Sequence, residues 1–303
     1  MQIRIADRHD IEGMVELQKH VYYEKKRDNP FFVWQCFENV NPSILVVAQQ
    51  DTSIVGTFGI QKRKTTGGLY GGQLSWLIVA EHQRKSGLFT KMGNLALASI
   101  PGLDFIFVIA NKNAVLPCEK AFNMKFIGEL PQMILKNNQT DMCAKSSVEQ
   151  INNETVFHKL PSCGNAITFL RTERYRCWRY ANSTVHTYFK VSIPSGEYAI
   201  IKLFNPNQSS PMIGDIVDFE CDILDTRKLQ YLFHAASFEL GKMGATTIMT
   251  WAMPGSALRC SLENMGFAKS EYDSYLGVKM LNETYDLDNF NNWHLVQSDA
   301  SNY

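Results

Sequence analysis

Along this chain the spacing of apolar residues changes several times, and each change predicts an element. Leu74 to Ala80 is an apolar run of strand type. It gives way at Gln83-Arg84-Lys85-Ser86-Gly87 to helical spacing, with Leu88, Met92 and Leu95 on one track and Phe89 and Ala96 beside it. Upstream, Ile3-Arg4-Ile5 predicts a short strand, and Asp7-x-x-Asp10 caps a helix whose apolar face is Ile11, Met14, Leu17 and Val21. Ser43 to Gln49 and Ser53 to Gln61 alternate as a hairpin around Gln50-Asp51-Thr52, and Gly67-Gly68 with Gly71-Gly72 turns the chain into the Leu74 strand. Phe105 to Ala110 is a further strand, followed by a helix with Pro117 expected in its first turn. This unit closes near Leu135.

Residues 136–156 are polar and read as a linker, after which the pattern repeats. Trp34-Gln35-Cys36-Phe37 is echoed at Trp178-Arg179-Tyr180, a shift of 178 − 34 = 144. The turn at Asp51-Thr52 returns at Ser195-Gly196, again shifted by 144, between expected strands over Val185 to Ile193 and Tyr198 to Phe204. Met124-Lys125-Phe126 returns at Met265-Gly266-Phe267, shifted by 267 − 126 = 141. A near-constant offset at separated places predicts a duplicated unit. The expected domains are therefore 1–135 and 157–303.

The Leu74–Ala98 stretch also has candidate chemistry. At a strand-to-helix turn the first N–H groups of the helix lack partners and carry the positive end of the helix dipole, which makes an anion seat. Ser86 and Gly87 leave that approach open, and Arg84 and Lys85 add positive charge. An ordinary turn with solvated basic residues is the alternative. The equivalent stretch of the second repeat, Ile216 to Lys228, has several acids and no glycine, so phosphate would be repelled there.

Val79-x-x-x-x-Arg84-x-x-Gly87-Leu88-Phe89 resembles the acetyl-CoA pyrophosphate loop of the GNAT acetyltransferases. Phe105 to Ala110 with Asn111, Asn113 and Ala114, then Met124-Lys125-Phe126, resembles that family's next strand, asparagine turn and final helix. Departures are Phe89 where many members have Gly or Ala, Glu81 for Pro, and Lys125 for Gly. The resemblance implies an α/β (α+β) fold of two tandem GNAT-like units, each a mixed, mainly antiparallel sheet flanked by helices. It further implies that Leu77, Ile78 and Val79 line a pantetheine arm and supply an oxyanion N–H. Arg84, Lys85, Ser86, Gly87, Leu88 and Phe89 would hold the pyrophosphate, with Asn111 and Asn113 approaching the cofactor. Residues 22–33 would shape the acceptor site.

The implied reaction is acetyl transfer from acetyl-CoA to an amine. The family's usual tyrosine acid is replaced by Ala121, and by Leu262 in the second repeat. The candidates left for proton transfer are Glu81, His82, Cys118 and, from the second unit, Asp218. With so little obvious base, a low-pKa acceptor is favoured. Deprotonating an amine of pKa ~10.4 at neutral pH costs about 4 kcal/mol, against about 1 kcal/mol near pKa ~8. Trp178-Arg179-Tyr180 and Asn292-Trp293-His294-Leu295 resemble double-GNAT proteins of surface-polysaccharide type, which implies a small amine acceptor such as an amino sugar or sugar nucleotide. Both tryptophans could equally be core aromatics. A CoA- or partner-binding protein without transfer, and an aminoacyl-tRNA-dependent tandem transferase, are the alternatives.

Composition narrows the classes. The 30 basic and 30 acidic residues balance, which argues against nucleic acid as a partner and against a membrane-surface patch. No stretch reaches transmembrane length and the start lacks a signal-type apolar region, so a cytoplasmic protein is expected. Seven cysteines without CxxC pairs predict reduced thiols, and the histidines have no metal-ligand spacing, so no metal is expected.

Overall fold

The computed structural model describes residues 1–21, 27–136, 145–158, 166–205, 210–282 and 287–300. The chain begins with β1 (Gln2–Ile5), α1 (Ile11–Val21), α2 (Asn29–Phe32), β2 (Ser43–Gln50), β3 (Ser53–Lys64), β4 (Tyr70–Val79), α3 (Leu88–Ser99), β5 (Phe105–Ala110), α4 (Lys112–Phe122) and β6 (Lys125–Lys136). It continues with β7 (Ser147–Gln150), α5 (Glu173–Arg176), β8 (Tyr188–Ser192), β9 (Tyr198–Phe204), β10 (Ile213–Glu220), α6 (Thr226–Lys242), β11 (Thr247–Trp251), α7 (Ala257–Asn264) and β12 (Ala268–Met280).

Two units form, but not with the boundaries expected from the sequence. One comprises Met1–Ile127 with Tyr275–Asp288, and the other Gly128–Ser274 with the residues from Asn289 onward. Both β6 and β12 change units part-way. The first unit's sheet therefore ends in a strand from late in the chain, Tyr275 to Met280, antiparallel to β5 from Tyr275↔Ala110 to Met280↔Phe105. The second unit's sheet takes the end of β6, antiparallel to β11 from Thr247↔Lys136 to Trp251↔Gln132. Leu135 thus lies inside a strand rather than at a boundary. Of the expected linker, Ser147–Gln150 pairs with β8, while 137–144, which include Cys143, lie outside the described residues, as does Cys163.

In the first unit β1 to β4 run antiparallel, and β4 then pairs with β5 in parallel. The predicted Asp7–Asp10 capping box is present and precedes α1, which buries Ile11, Met14 and Leu17. One face of the sheet packs Phe58 against Phe89 of α3 and Phe122 of α4, with ring centroids 5.3 Å and 5.5 Å away. Asn111 caps α4 by accepting from the N–H groups of Asn113 (3.1 Å) and Ala114 (3.2 Å). Because the cap sets the start at Lys112, Pro117 falls inside the helix, not in its first turn as expected, and the bond its N–H would make is lost.

The second unit repeats this plan. Its strands β7 to β10 are antiparallel and β10 pairs with β11 in parallel. The echo at offset 144 extends to backbone detail. Asp28 accepts from the Phe31 N–H to cap α2, which runs into a π-helical turn at Val33–Phe37. Thr172 accepts from the Tyr175 N–H to cap α5, which runs into a π-helical turn at Cys177–Ala181. Trp34 and Trp178 are both buried in these turns.

Candidate functional site

β4 and β5 pair only over Gly71↔Phe105, Gly72↔Ile106 and Gln73↔Phe107. Beyond Gln73 the two strands have no register with each other, so β4 turns backbone N–H and C=O groups into an opening. An irregularity sits there. Gly59 pairs with Ser75 while Thr57 pairs with Ile78, so β4 carries one extra residue, a bulge. Trp76 takes a φ of 54°, in the left-handed region that a bulky residue enters only at a cost of about 1–3 kcal/mol. Its C=O accepts from Thr57 Oγ1 at 2.7 Å, and its ring lies 5.4 Å from both Phe31 and Phe32. Arg27 stacks over Phe31 (4.7 Å) and Trp76 (5.0 Å). Leu77 and Val79 are half-buried along the opening, whereas Ile78 is buried and paired with Thr57.

Past β4 a short 3-10 turn, Glu81–Gln83, carries the exposed Glu81 and His82. The chain then reaches α3 through exposed Arg84, Lys85, Ser86 and Gly87. Lys85 (φ 65°) and Gly87 (φ 77°) are both left-handed, and a Cβ at Gly87 would meet nothing within 4 Å. Ser86 Oγ donates to the Gln83 C=O at 2.7 Å, which tightens the turn. The first helical bond runs from the Lys91 N–H to the Gly87 C=O. No side chain caps the helix. The Phe89 and Thr90 N–H groups have no acceptor among the described residues, and the Leu88 N–H reaches only Ser86 Oγ at 3.4 Å. The Phe89 ring turns inward onto Phe58 and Phe122, so a large residue at this position leaves its own N–H clear.

The second unit repeats the opening and closes the seat. β10 and β11 pair over Ile213↔Thr247, Gly214↔Ile248 and Asp215↔Met249, each shifted by 142 from the β4–β5 pairs (213 − 71, 247 − 105), and then stop. β10 also has a register shift between Ile216 and Asp218. Contrary to the expectation of a loop from Ile216, the strand runs on to Glu220. The helix after it is capped, because Asp225 Oδ1 accepts from the Lys228 N–H at 3.0 Å. A carboxylate therefore occupies the helix start that is open in the first unit.

Asp218 is buried, where Tyr180 OH donates to it at 2.9 Å and Arg171 and Arg176 lie 3.6 Å and 3.8 Å away. Its other oxygen accepts from the Phe219 N–H at 2.9 Å, so both oxygens are engaged within the second unit. Burial pushes the Cys118 thiol up to about 12, so it keeps its proton through neutral pH and is a poor donor to a thiolate. Asn111 and Asn113 are exposed at the start of α4, the Asn111 oxygen being used as the cap. Trp178 and Trp293 are core aromatics. Of residues 22–33, the stretch 22–26 lies outside the described residues. Among the described residues no three His, Cys, Asp or Glu side chains gather as a metal site, and no helix is long and apolar enough to cross a membrane.

Two groups of the second unit, the buried Asp215 and the half-buried His294, make its stability respond to pH. Burial raises Asp215 to about 6, with Lys202 3.6 Å away offsetting part of the shift. Between about pH 4 and 6 the folded chain holds a proton that the unfolded chain has released, so stability falls as pH rises. Burial, aided by Arg171, lowers His294 to about 4. From about pH 4 to 6.5 the unfolded chain holds the proton, so stability rises with pH. Each is worth about 3 kcal/mol and the two oppose. Urea unfolding at pH ~4.5 and ~6.5 should therefore differ little for this pair in the wild type. Asp215→Asn should expose the rising limb and His294→Gln the falling one.

The chain matches no family model and no curated protein. Solved structures do match. A GCN5-related N-acetyltransferase from Anabaena variabilis superposes with a TM-score of 0.64 at 10% identity, over 93% of this chain and 73% of that one. The fold is that of the GCN5-related N-acetyltransferases. Two further matches cover nearly the whole chain. A tandem GNAT protein from the clavulanic acid biosynthesis pathway gives a TM-score of 0.57 at 11% identity, over 94% of this chain and 99% of that one. The Saccharomyces cerevisiae N-myristoyltransferase with bound myristoyl-CoA gives 0.61 at 11% identity, over 91% and 82%. Within this GNAT fold, nothing in the local sequence marks the Trp76 bulge or its bond from Thr57. Asp225, one of the acids expected to repel phosphate, also carries the signal of a cap, an Asp three residues before a helical Lys.

Proposed function

We propose that the protein is an acyl-CoA-dependent N-acyltransferase. Its first unit holds the donor, acetyl-CoA in our reading, and the acceptor is a small amine such as an amino sugar or sugar nucleotide. The observation that carries this is the contrast between two otherwise equivalent helix starts. That of α3 is uncapped, flanked by Arg84 and Lys85 and set at the mouth of an open strand pair; that of α6 is filled by Asp225. The GNAT fold of the matched structures supports the same reading.

The residues present fit a diphosphate. Free N–H groups at Phe89 and Thr90 would donate to its oxygens, with the helix dipole behind them and no Cβ at Gly87 to obstruct. Acyl-CoA would supply an activated thioester. The unpaired edge of β4 beyond the Trp76 bulge would hold the arm by backbone hydrogen bonds, and a bulge N–H would donate to the carbonyl oxygen as negative charge develops there. Glu81 and His82, exposed at the end of this strand, are the groups available to pass a proton to solvent. Neither is buried against a charged partner as a strong base would be, which favours an acceptor already largely unprotonated at neutral pH.

Isothermal titration with acetyl-CoA tests the donor half of the proposal. One equivalent should bind, and Arg84→Glu should weaken binding by about tenfold or more through charge reversal beside the diphosphate. Unchanged affinity in Arg84→Glu would reject the assignment. Thiol release with a panel of amines tests transfer, and binding without release from any amine would point to a non-catalytic CoA-binding protein instead.

A further inference from the structure

In the second unit the strand opening is not empty. β10 loses its β11 partner after Asp215, as β4 loses β5 after Gln73, and the stretch His294 to Asp299 packs against it there. The segment arrives in extended form. Trp293 bridges Ile167 in parallel, Ile167 donates to the Asn292 C=O at 2.6 Å, and the His294 N–H donates to the Ile167 C=O at 2.9 Å. Leu295 is fully buried, and Val296 joins the core cluster that contains Ile216 and Phe219 of β10 and Ala252 just past β11. His294 lies edge-on to Phe219 at 5.7 Å. The 3-10 turn Gln297–Asp299 then contacts β10 and is completely buried.

The polar contacts are as specific as those of a bound peptide. Arg171 donates to Asp299 at 3.2 Å, and Asp299 also accepts from the Val296 N–H at 3.0 Å. Arg179 donates to the Ala300 C=O at 2.8 Å, and Tyr175 OH donates to the Ser298 C=O at 3.3 Å. The same Arg171 faces Asp218 of β10, so the peptide's acid and the strand's acid share one guanidinium. Asp218 stands 142 residues after Trp76, at the level of the first unit's bulge. Arg171 just before α5, Tyr175 of α5 and Arg179 of the π turn thus grip a peptide where the first unit keeps its strand edge open.

We propose that the second unit is a peptide-binding module whose cleft, the counterpart of the donor cleft, is filled by residues 294–299 of the chain's own segment 289–300. The ligand class is an extended peptide with two adjacent apolar residues followed, three positions after the second, by an acid that salt-bridges Arg171. The peptide contributes both the apolar filling of the opening and the anion that balances Arg171. This holds whether or not the first unit binds acyl-CoA, since it rests on contacts within the second unit alone.

Two measurements test it. In the full chain, amide hydrogen exchange should find the N–H groups of Leu295 and Val296 as protected as those of Ile216 and Phe219. Exchange at the rate of an exposed loop would overturn the proposal. A chain ending at Asp288 should melt at least about 5 °C lower, and a synthetic peptide of residues 289–300 should restore the loss saturably. The same peptide with Asp299→Ala should need at least about ten times the concentration. If the shortened chain does not fold, the exchange measurement decides. A folded shortened chain with an unchanged melting temperature, or one that ignores the peptide, would overturn the proposal.

Discussion

Gly87→Asp is expected to weaken the proposed acetyl-CoA binding roughly a hundredfold while leaving the protein folded. The position lies at the start of α3, exposed and clear of neighbours, so the new carboxylate meets no steric obstacle. The left-handed φ of 77° costs an L-residue about 1–2 kcal/mol, offset in part by a negative charge at the positive end of the helix. Binding fares differently. A carboxylate about 5 Å from a phosphate at an effective dielectric of about 20 adds about 3 kcal/mol of repulsion, roughly a hundredfold in affinity. Gly87→Ala provides the control, because it shares the backbone strain and adds no charge. It should lower the melting temperature as much as or more than Asp does and keep most of the affinity. Equal loss in both variants would mean that backbone conformation, not an anion seat, governs the site.

The second large effect concerns folding. A fragment of residues 1–135, the domain that the local pattern suggests, should fail to fold cooperatively by circular dichroism and urea titration. It lacks Tyr275 to Met280, which pairs with β5 along its whole length. Leu276 and Val278 in that strand are buried, and their loss alone removes about 1.5–3 kcal/mol each. Uncovering Phe105 and Phe107 on β5 adds a similar amount, which together approaches the whole stability of a typical domain. Co-expression with residues 136–303 should recover a folded protein, since that fragment carries the missing strand. A monomeric, cooperatively melting 1–135 fragment would contradict the strand exchange.

Much of the fold was legible because its signals are local. The hairpin of β2 and β3, the Asp7–Asp10 box, and the switch of period from β4 to α3 each arise from a few neighbouring residues. So does the tandem repeat, whose offset survives in the caps at Asp28 and Thr172 and in the paired splays of β4–β5 and β10–β11. The exchange of strand ends was not legible. Residues 125–136 and 268–280 read as strands in either pairing, and the partner is chosen by contacts distant in sequence.

The candidate site divides along the same line. Arg84 to Phe89 could be read as a helix start facing a strand end, because the basic residues and Gly87 are contiguous. The openness of that start could not, since it depends on which way Phe89 turns and on the absence of a cap. The surroundings of Asp218 were hidden for a related reason. Its strand position matched the notion of a base, but its neighbours Arg171, Arg176 and Tyr180 lie about 40 residues away and bury it. Trp76 left no trace, for a left-handed tryptophan in a strand is made by the Thr57 hydrogen bond and the Phe31–Phe32 packing.

A crystal structure with acetyl-CoA bound would locate the donor outright. One molecule per chain is expected, its diphosphate oxygens within hydrogen-bond distance of the Phe89 and Thr90 N–H groups and its arm along β4 past Gln73. A diphosphate at the start of α6, or a ligand that leaves the α3 amides untouched, would contradict that placement.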